Sequence, residues 1–274
     1  MFGKGRASEM VSVVLGLVVV CLVTAAAIAG LALVQRLVPS ARRQRHNDVA
    51  GFIYAVVGVA YAVVLALVII AVWERFAEAR GTAAREASQV AEVFWLAHRM
   101  PEPEGRHIQE LARSYAEVVV EEEWPLMQEG RASPRAWAIL DDIREPIQDG
   151  LVRPGAEQML YFQALERVTN VNDARRDRLV VAREGLPAVL WVVLLAGFVI
   201  VVGFAYLFGL DDTAVHAFMI GALAAIFSLA LFCVAALDYP FGAGVSVGPE
   251  AFELVLGRFE TSDLSDLPSA GSGH

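Results

Sequence analysis

The chain has little of what marks a soluble enzyme or a disulfide-stapled domain. It carries 2 cysteines in 274 residues, and both Cys21 and Cys233 fall inside long apolar runs. A cysteine in such a run is a small packing residue, so the pair indicates neither a disulfide framework nor a zinc site. Lysine is nearly absent, Lys4 being the exception among the basic residues. That bias towards arginine fits a GC-rich bacterial coding sequence better than a nucleic-acid surface, so no nucleic-acid partner is expected. No Walker loop, ordered Ser–His–Asp signature, His-Glu-x-x-His or Cys-x-x-Cys occurs. With those motifs missing, the chain is not expected to be an enzyme, and no cofactor or metal is expected.

Charge is also missing, and in a telling place. Four blocks contain no Lys, Arg, Asp or Glu: about Met10–Val34, Phe52–Trp73, Leu186–Phe208 and Val215–Leu237. A bilayer core about 30 Å thick takes roughly 20 apolar residues to cross as a helix. Backbone polar groups in that layer must bond within the segment, which favours helices. The 57% hydrophobic content is therefore concentrated in four expected membrane spans rather than spread through a soluble core. Lys4 and Arg6 ahead of the first block, with Ala25-Ala26-Ala27 inside it, imitate a secretory signal. The block is longer than the usual signal core of about 7–15 residues, so an uncleaved span is expected.

The expected fold is an all-α integral membrane protein with four transmembrane helices and a helical domain inserted between spans two and three. The expected divisions are 1–73 (tail and two spans), 74–185 (extramembrane domain), 186–237 (two spans) and 238–274 (C-terminal segment). From about Thr261 the Ser-Asp repeats and Pro268-Ser269-Ala270-Gly271-Ser272-Gly273 read as a disordered tail.

Inside the inserted domain, Phe76, Ala79, Ala83, Ala87, Val90 and Phe94 recur at steps of three and four. They continue span two as an amphipathic helix, broken at Met100-Pro101. A second helix is expected from about His107 to Glu123, where Trp124-Pro125 disturbs it. A third starts at Ser133-Pro134 and ends near Gly150. A last helix runs from near Pro154-Gly155 to Arg183, with its continuity through Thr169-Asn170 open.

Four spans place the N-terminus, the inserted domain and the C-terminal tail on one side. The basic residues there outnumber Arg36, Arg42, Arg43 and Arg45 of the first short loop. Cytoplasmic sides are enriched in Arg and Lys, which favours a cytoplasmic domain in a bacterial inner membrane. The dense first loop pulls the other way.

Candidate functional residues gather at the mouth of span two, in His46-Asn47-Asp48-Val49-Ala50-Gly51. Asn47 or Asp48 can cap the first turn, or these groups can line an ion or water path. On the same side lie Asp211, Asp212 and His216, together with Arg42, Arg43 and Arg45. Arg–carboxylate pairing between the two loops is the plain expectation, and arginines without partners would concentrate anions at a pore mouth. Span two also carries Gly51, Ala55, Gly58, Ala62 and Ala66 on one face, which permits close helix approach or faces the axis of an oligomer. Gly221, Ala225 and Ser228 form a similar face on span four. Tyr54 and Tyr61 either anchor at interfaces or bond between helices. The Glu121-Glu122-Glu123 run lacks the ligand spacing of a calcium loop and reads as a solvated helix face.

Several of these segments resemble a widespread bacterial membrane family described as bestrophin-like. The likeness runs through Arg42-Arg43, the Asn-Asp-x-Ala-Gly segment at Asn47–Gly51, Gly58, Trp73-Glu74, Glu86-Ala87, Trp95, Arg175, Arg178, Leu179, Pro187, Trp191, Pro240-Phe241-Gly242, Pro249 and Phe252. The resemblance implies a homo-oligomeric, channel-like protein of the bilayer conducting small inorganic ions, anions slightly preferred. By analogy with true bestrophins, it implies a pentamer. Their calcium clasp follows Pro-Phe-Gly with a run of acids. Here Ala243-Gly244-Val245-Ser246 follows, so calcium gating is not implied. The competing expectation is a non-conducting adaptor whose amphipathic helical domain binds a cytoplasmic partner.

Overall fold

The computed structural model describes residues 2–38, 47–242 and 244–265. Among the described residues the structure is helical, with no strand. The elements in order are α1 (Phe2–Leu37), α2 (Asn47–Ala97), α3 (Glu104–Val118), a π-helical turn (Val119–Glu123), α4 (Trp124–Gln128), α5 (Pro134–Gly150), α6 (Ala156–Arg183), α7 (Ala188–Ala205), α8 (Thr213–Leu237) and α9 (Glu250–Ser265). Four helices are long and apolar enough to cross a membrane, and they carry the four expected charge-free blocks.

The described residues divide into two compact units. One is drawn from Met1–Phe76, Gly185–Tyr239 and Ala243–Val245, the other from Ala77–Glu184, Pro240–Gly242 and Ser246–His274. The first is the membrane unit. In it α1 and α8 lie so close that a methyl group added to Gly16 would sit 2.0 Å from the Phe232 ring. One added to Gly221 would meet Ile28 at 3.1 Å, so this part of the span-four small-residue face is a packing seam. Helix α2 meets α7 through Tyr61, whose hydroxyl donates to the Leu194 carbonyl at 3.0 Å. The ring fills the space over Gly197, 2.4 Å from where a Cβ would stand. Tyr61 is thus an interhelical bond, and Tyr54 stacks on Phe204 and meets Phe208 edge-on. Tyr206 donates to the Ala27 carbonyl at 2.8 Å. At the other end of the spans, Asp238 accepts from the Leu186 N–H at 2.5 Å and the Trp191 indole at 3.1 Å. Arg75 donates to the Gly185 carbonyl at 3.0 Å.

The second unit is built on the amphipathic continuation of α2. Ala79, Ala83, Ala87, Val90 and Phe94 are buried, as their spacing predicts, and Phe94 stacks on Phe259 of α9 at 3.9 Å. Ser133 caps α5 by accepting from the Ala136 N–H. Two local expectations are corrected, and one left open is resolved. Helix α3 ends at Val118 and widens into the π turn before Trp124, because Pro125 has no N–H for the preceding turn and its ring crowds it. Helix α6 runs unbroken through Thr169-Asn170; Thr169 and Asn172 turn their side chains back onto the Leu165 and Val168 carbonyls. Helix α9 continues through Thr261 to Ser265, past the point where disorder was expected to begin. The rest of that tail lies outside the described residues.

Candidate pore mouth and buried charge network

Arg42, Arg43, Arg45 and His46 lie outside the described residues, so the pairing expected between the two short loops is traced from the carboxylate side alone. Asp212 accepts from the Ala214 and Val215 N–H groups and caps α8. Its exposed carboxylate completes a helix terminus, where a negative charge is favoured. Asp211 is exposed beside it. His216 is not part of the loop surface: it is buried, with Nε2 3.3 Å from the Ala205 carbonyl.

Asn47 does not fill the capping role open to it. Its Nδ2 donates to the Gly209 carbonyl at 2.9 Å, and its Oδ1 accepts from the Gly209 N–H at 3.1 Å. The carboxamide reads one backbone unit of the turn ahead of α8 in both directions, as a strand would. Asp48, one residue on, is exposed. The small-residue face that follows is not a seam within the chain. Ala55, Ala62 and Ala66 are exposed, Gly51 and Gly58 are half-buried, and a Cβ at Gly58 would meet nothing within 4 Å. The packed face of α2 is instead Tyr61, Leu65, Val68 and Val72.

The second constellation lies in the extramembrane unit, and composition gave no notice of it. Glu86 of α2, Glu123 of the π turn, and Arg175 and Arg178 of α6 are all fully buried. Arg178 donates to both Glu86 oxygens, at 2.6 and 2.9 Å, and lies 3.5 Å from Glu123. Arg175 donates to both Glu123 oxygens, at 3.2 and 2.8 Å, and to the Ser133 carbonyl at 3.0 Å. The Tyr115 hydroxyl donates to Glu86 at 2.6 Å. Indole faces cover both cations, Trp137 over Arg175 at 4.1 Å and Trp124 over Arg178 at 5.1 Å. Glu123 is therefore not part of a solvated face, which corrects the reading of the acidic run; Glu122 keeps that role and pairs with exposed Arg135.

The electrostatics follow from the pairing. Burial works to lower the Arg178 pKa, but Glu86 and Glu123 outweigh it and hold the guanidinium charged. Burial, reinforced by the neighbouring Glu86 charge, lifts Tyr115 well above the usual phenol range, so it stays a donor. Two cations and two anions cancel, and bidentate geometry is what lets such a cluster survive out of water.

Comparison with known proteins identifies the family and the fold. The profile of the bestrophin-like domain matches residues 21–252. The chain belongs to the bestrophin-like family. A bacterial bestrophin homologue from Klebsiella pneumoniae shares the fold, with a TM-score of 0.62 at 15% identity over 93% of this chain and 100% of that one. A solved membrane protein variant gives a TM-score of 0.63 at 14% identity, again over 93% and 100% of the two chains. No curated protein matches. The architecture is channel-like, and among the residues on which the resemblance was read, Asn47 lies in the Gly209 pair, and Glu86, Arg175 and Arg178 in the buried network. Phe241 and Phe252 pack edge-on against Trp124.

Proposed function

We propose that this bestrophin-like chain is the subunit of a homo-oligomeric small-ion channel whose path is lined by span two. The observation that carries the reading is the uncovered face of α2. Asp48, Ala55, Ala62 and Ala66 are exposed, and Gly58 opens onto empty space. Small residues on such a face leave room for a path or for a second copy. The expected assembly is a ring, with five copies as the working number and the helical unit on the cytoplasmic side. A modest anion preference is drawn from Arg42, Arg43 and Arg45, which raise local anion concentration; Asp48 opposes it.

The adaptor alternative loses one of its two supports, the other being the acidic surface of the helical domain. The amphipathic face that would have met a partner is spent on the chain's own core, from Ala79 to Phe94.

Purified protein in liposomes should pass chloride or small cations above empty-vesicle background. With Cys21 and Cys233 replaced, an Ala62→Cys variant should lose flux on treatment with a charged, water-soluble thiol reagent. No flux at any voltage, pH or calcium level would overturn the reading, as would particles seen by electron microscopy as monomers with no closed ring.

A further inference from the structure

We propose that Asn47 is the positioning residue of the channel mouth: its carboxamide latches the first turn of span two to the turn ahead of span four, and that latch holds Asp48 at the head of the uncovered face. The inference rests on the channel reading and assigns a role inside it to the Asn-Asp-x-Ala-Gly segment.

Helical phase divides the two polar residues of the motif. Asp48, Gly51, Ala55, Gly58, Ala62 and Ala66 follow at steps of three and four, so Asp48 begins the small-residue face. Asn47 falls on the neighbouring packed face, seven residues from Tyr54 and fourteen from Tyr61. The motif thus sends one side chain inward and leaves the next outward.

The chemistry of the latch is narrow. Asn47 gives one N–H and accepts one N–H, both on Gly209, across 162 residues of sequence. A side chain must carry a donor and an acceptor on one carbon to do this, which a carboxamide or an un-ionised carboxyl does and a carboxylate does not. The latch is backed by packing: Phe208 meets the Tyr54 ring at 5.4 Å and lies 3.9 Å from the Cβ direction of Gly51. The Asp212 cap gives no substitute, since its bonds go to its own helix.

The test exploits the acid–amide equivalence. An Asn47→Asp side chain can close the same ring while protonated and must break it once ionised. Asp48 adjoins it in α2, Asp211 and Asp212 follow Gly209, and Arg45 and His46 precede Asn47 in the chain. His216, the titratable group of α8 nearest the turn in sequence, is turned to the Ala205 carbonyl.

In full-length protein in nanodiscs, with Cys21 and Cys233 replaced and Leu210→Cys as reporter, maleimide labelling reads the latch directly. Asn47→Ala should label about tenfold faster than the parent at every pH, the factor set by two lost neutral hydrogen bonds. Asn47→Asp should match the parent at acid pH and the alanine variant at alkaline pH. Ion flux in liposomes should follow the same pH profile for Asn47→Asp and stay pH-flat for the parent.

Labelling of Asn47→Asp that does not change with pH relative to the parent overturns the latch. Labelling that switches while flux does not overturns its positioning role. Flux absent from the parent, with labelling still switching, sinks the channel reading and leaves the latch standing.

Discussion

The two units of this chain solve the same problem, a polar group out of water, by different means. In the membrane unit most fixing bonds run between a side chain and a backbone group, Tyr61 to Leu194, Tyr206 to Ala27, Asn47 to Gly209 and Asp238 to Leu186, with the Trp191 indole on Asp238 as a side-chain pair. In the extramembrane unit the buried centre is ionic, with Glu86 and Glu123 locked to Arg178 and Arg175. Carbonyls lie along every helix, so a span needs only a donor of the right length to join its neighbour. Full charges are costly to desolvate and are kept where several elements converge to satisfy them. The difference teaches where each unit is brittle. The spans should lose stability in small steps, one bond or contact at a time, while the network fails as a set.

The largest expected effect tests that contrast directly. Arg178→Met leaves Glu86 buried with only Tyr115 as partner and should cost about 3–5 kcal/mol, seen as a large fall in thermal midpoint. Pairing it with Glu86→Leu should recover part of the loss. A coupling energy below about 0.5 kcal/mol would mean that the network is a sum of independent contacts. Next, Gly197→Leu drives a side chain into the Tyr61 ring and should cost about 1–3 kcal/mol by overpacking, with α2 and α7 forced apart. If it were harmless, the spans would be looser than Tyr61 implies.

A third test uses alkali. Burial first, then the Glu104 charge, push Tyr161 up to about 12, and Tyr115 is raised well above 10.0. The folded state therefore holds these protons more tightly than the unfolded chain does. That stability is fully present below the unfolded value and drains away as pH climbs from about 10 towards 12. Thermal midpoints should fall across that window, and tyrosinate absorbance from Tyr115 should appear only with unfolding. The smallest effect is at a cap: Ser133→Ala should cost about 0.5–2 kcal/mol, confined to the extramembrane unit.

Much of this was legible in the sequence, and the reason is periodicity. Charge-free runs marked the four spans, and steps of three and four marked the face of α2 from Ala79 to Phe94. The Ser133-Pro134 start of α5 was equally plain. The buried network was not read, although its signal was present. Glu86 falls three residues after Ala83, and Glu123 four after Val119. On α6, Arg175 and Arg178 continue the line of Tyr161, Ala164, Val168 and Val171, all buried. Each ion therefore occupies an inward position, and an inward charge on one helix requires its opposite on another. Reading charge runs as solvated hid this, because in Glu121-Glu122-Glu123 only the last residue turns in. The Asn47 bond was illegible for another reason. Its partner is a glycine backbone 162 residues away, which no spacing announces.

The extramembrane core also fixes an order in time. It is begun by α2 to α6 but closed by Phe241, Val247, Phe252 and Phe259, which the ribosome delivers after all four spans. Until then the Trp124 indole lacks its Val247 acceptor and Phe94 its stacking partner. The unit thus has to wait, half-built, through the synthesis and insertion of spans three and four. A nascent chain halted before Pro240 would lack the aromatic residues of α9 that close this core.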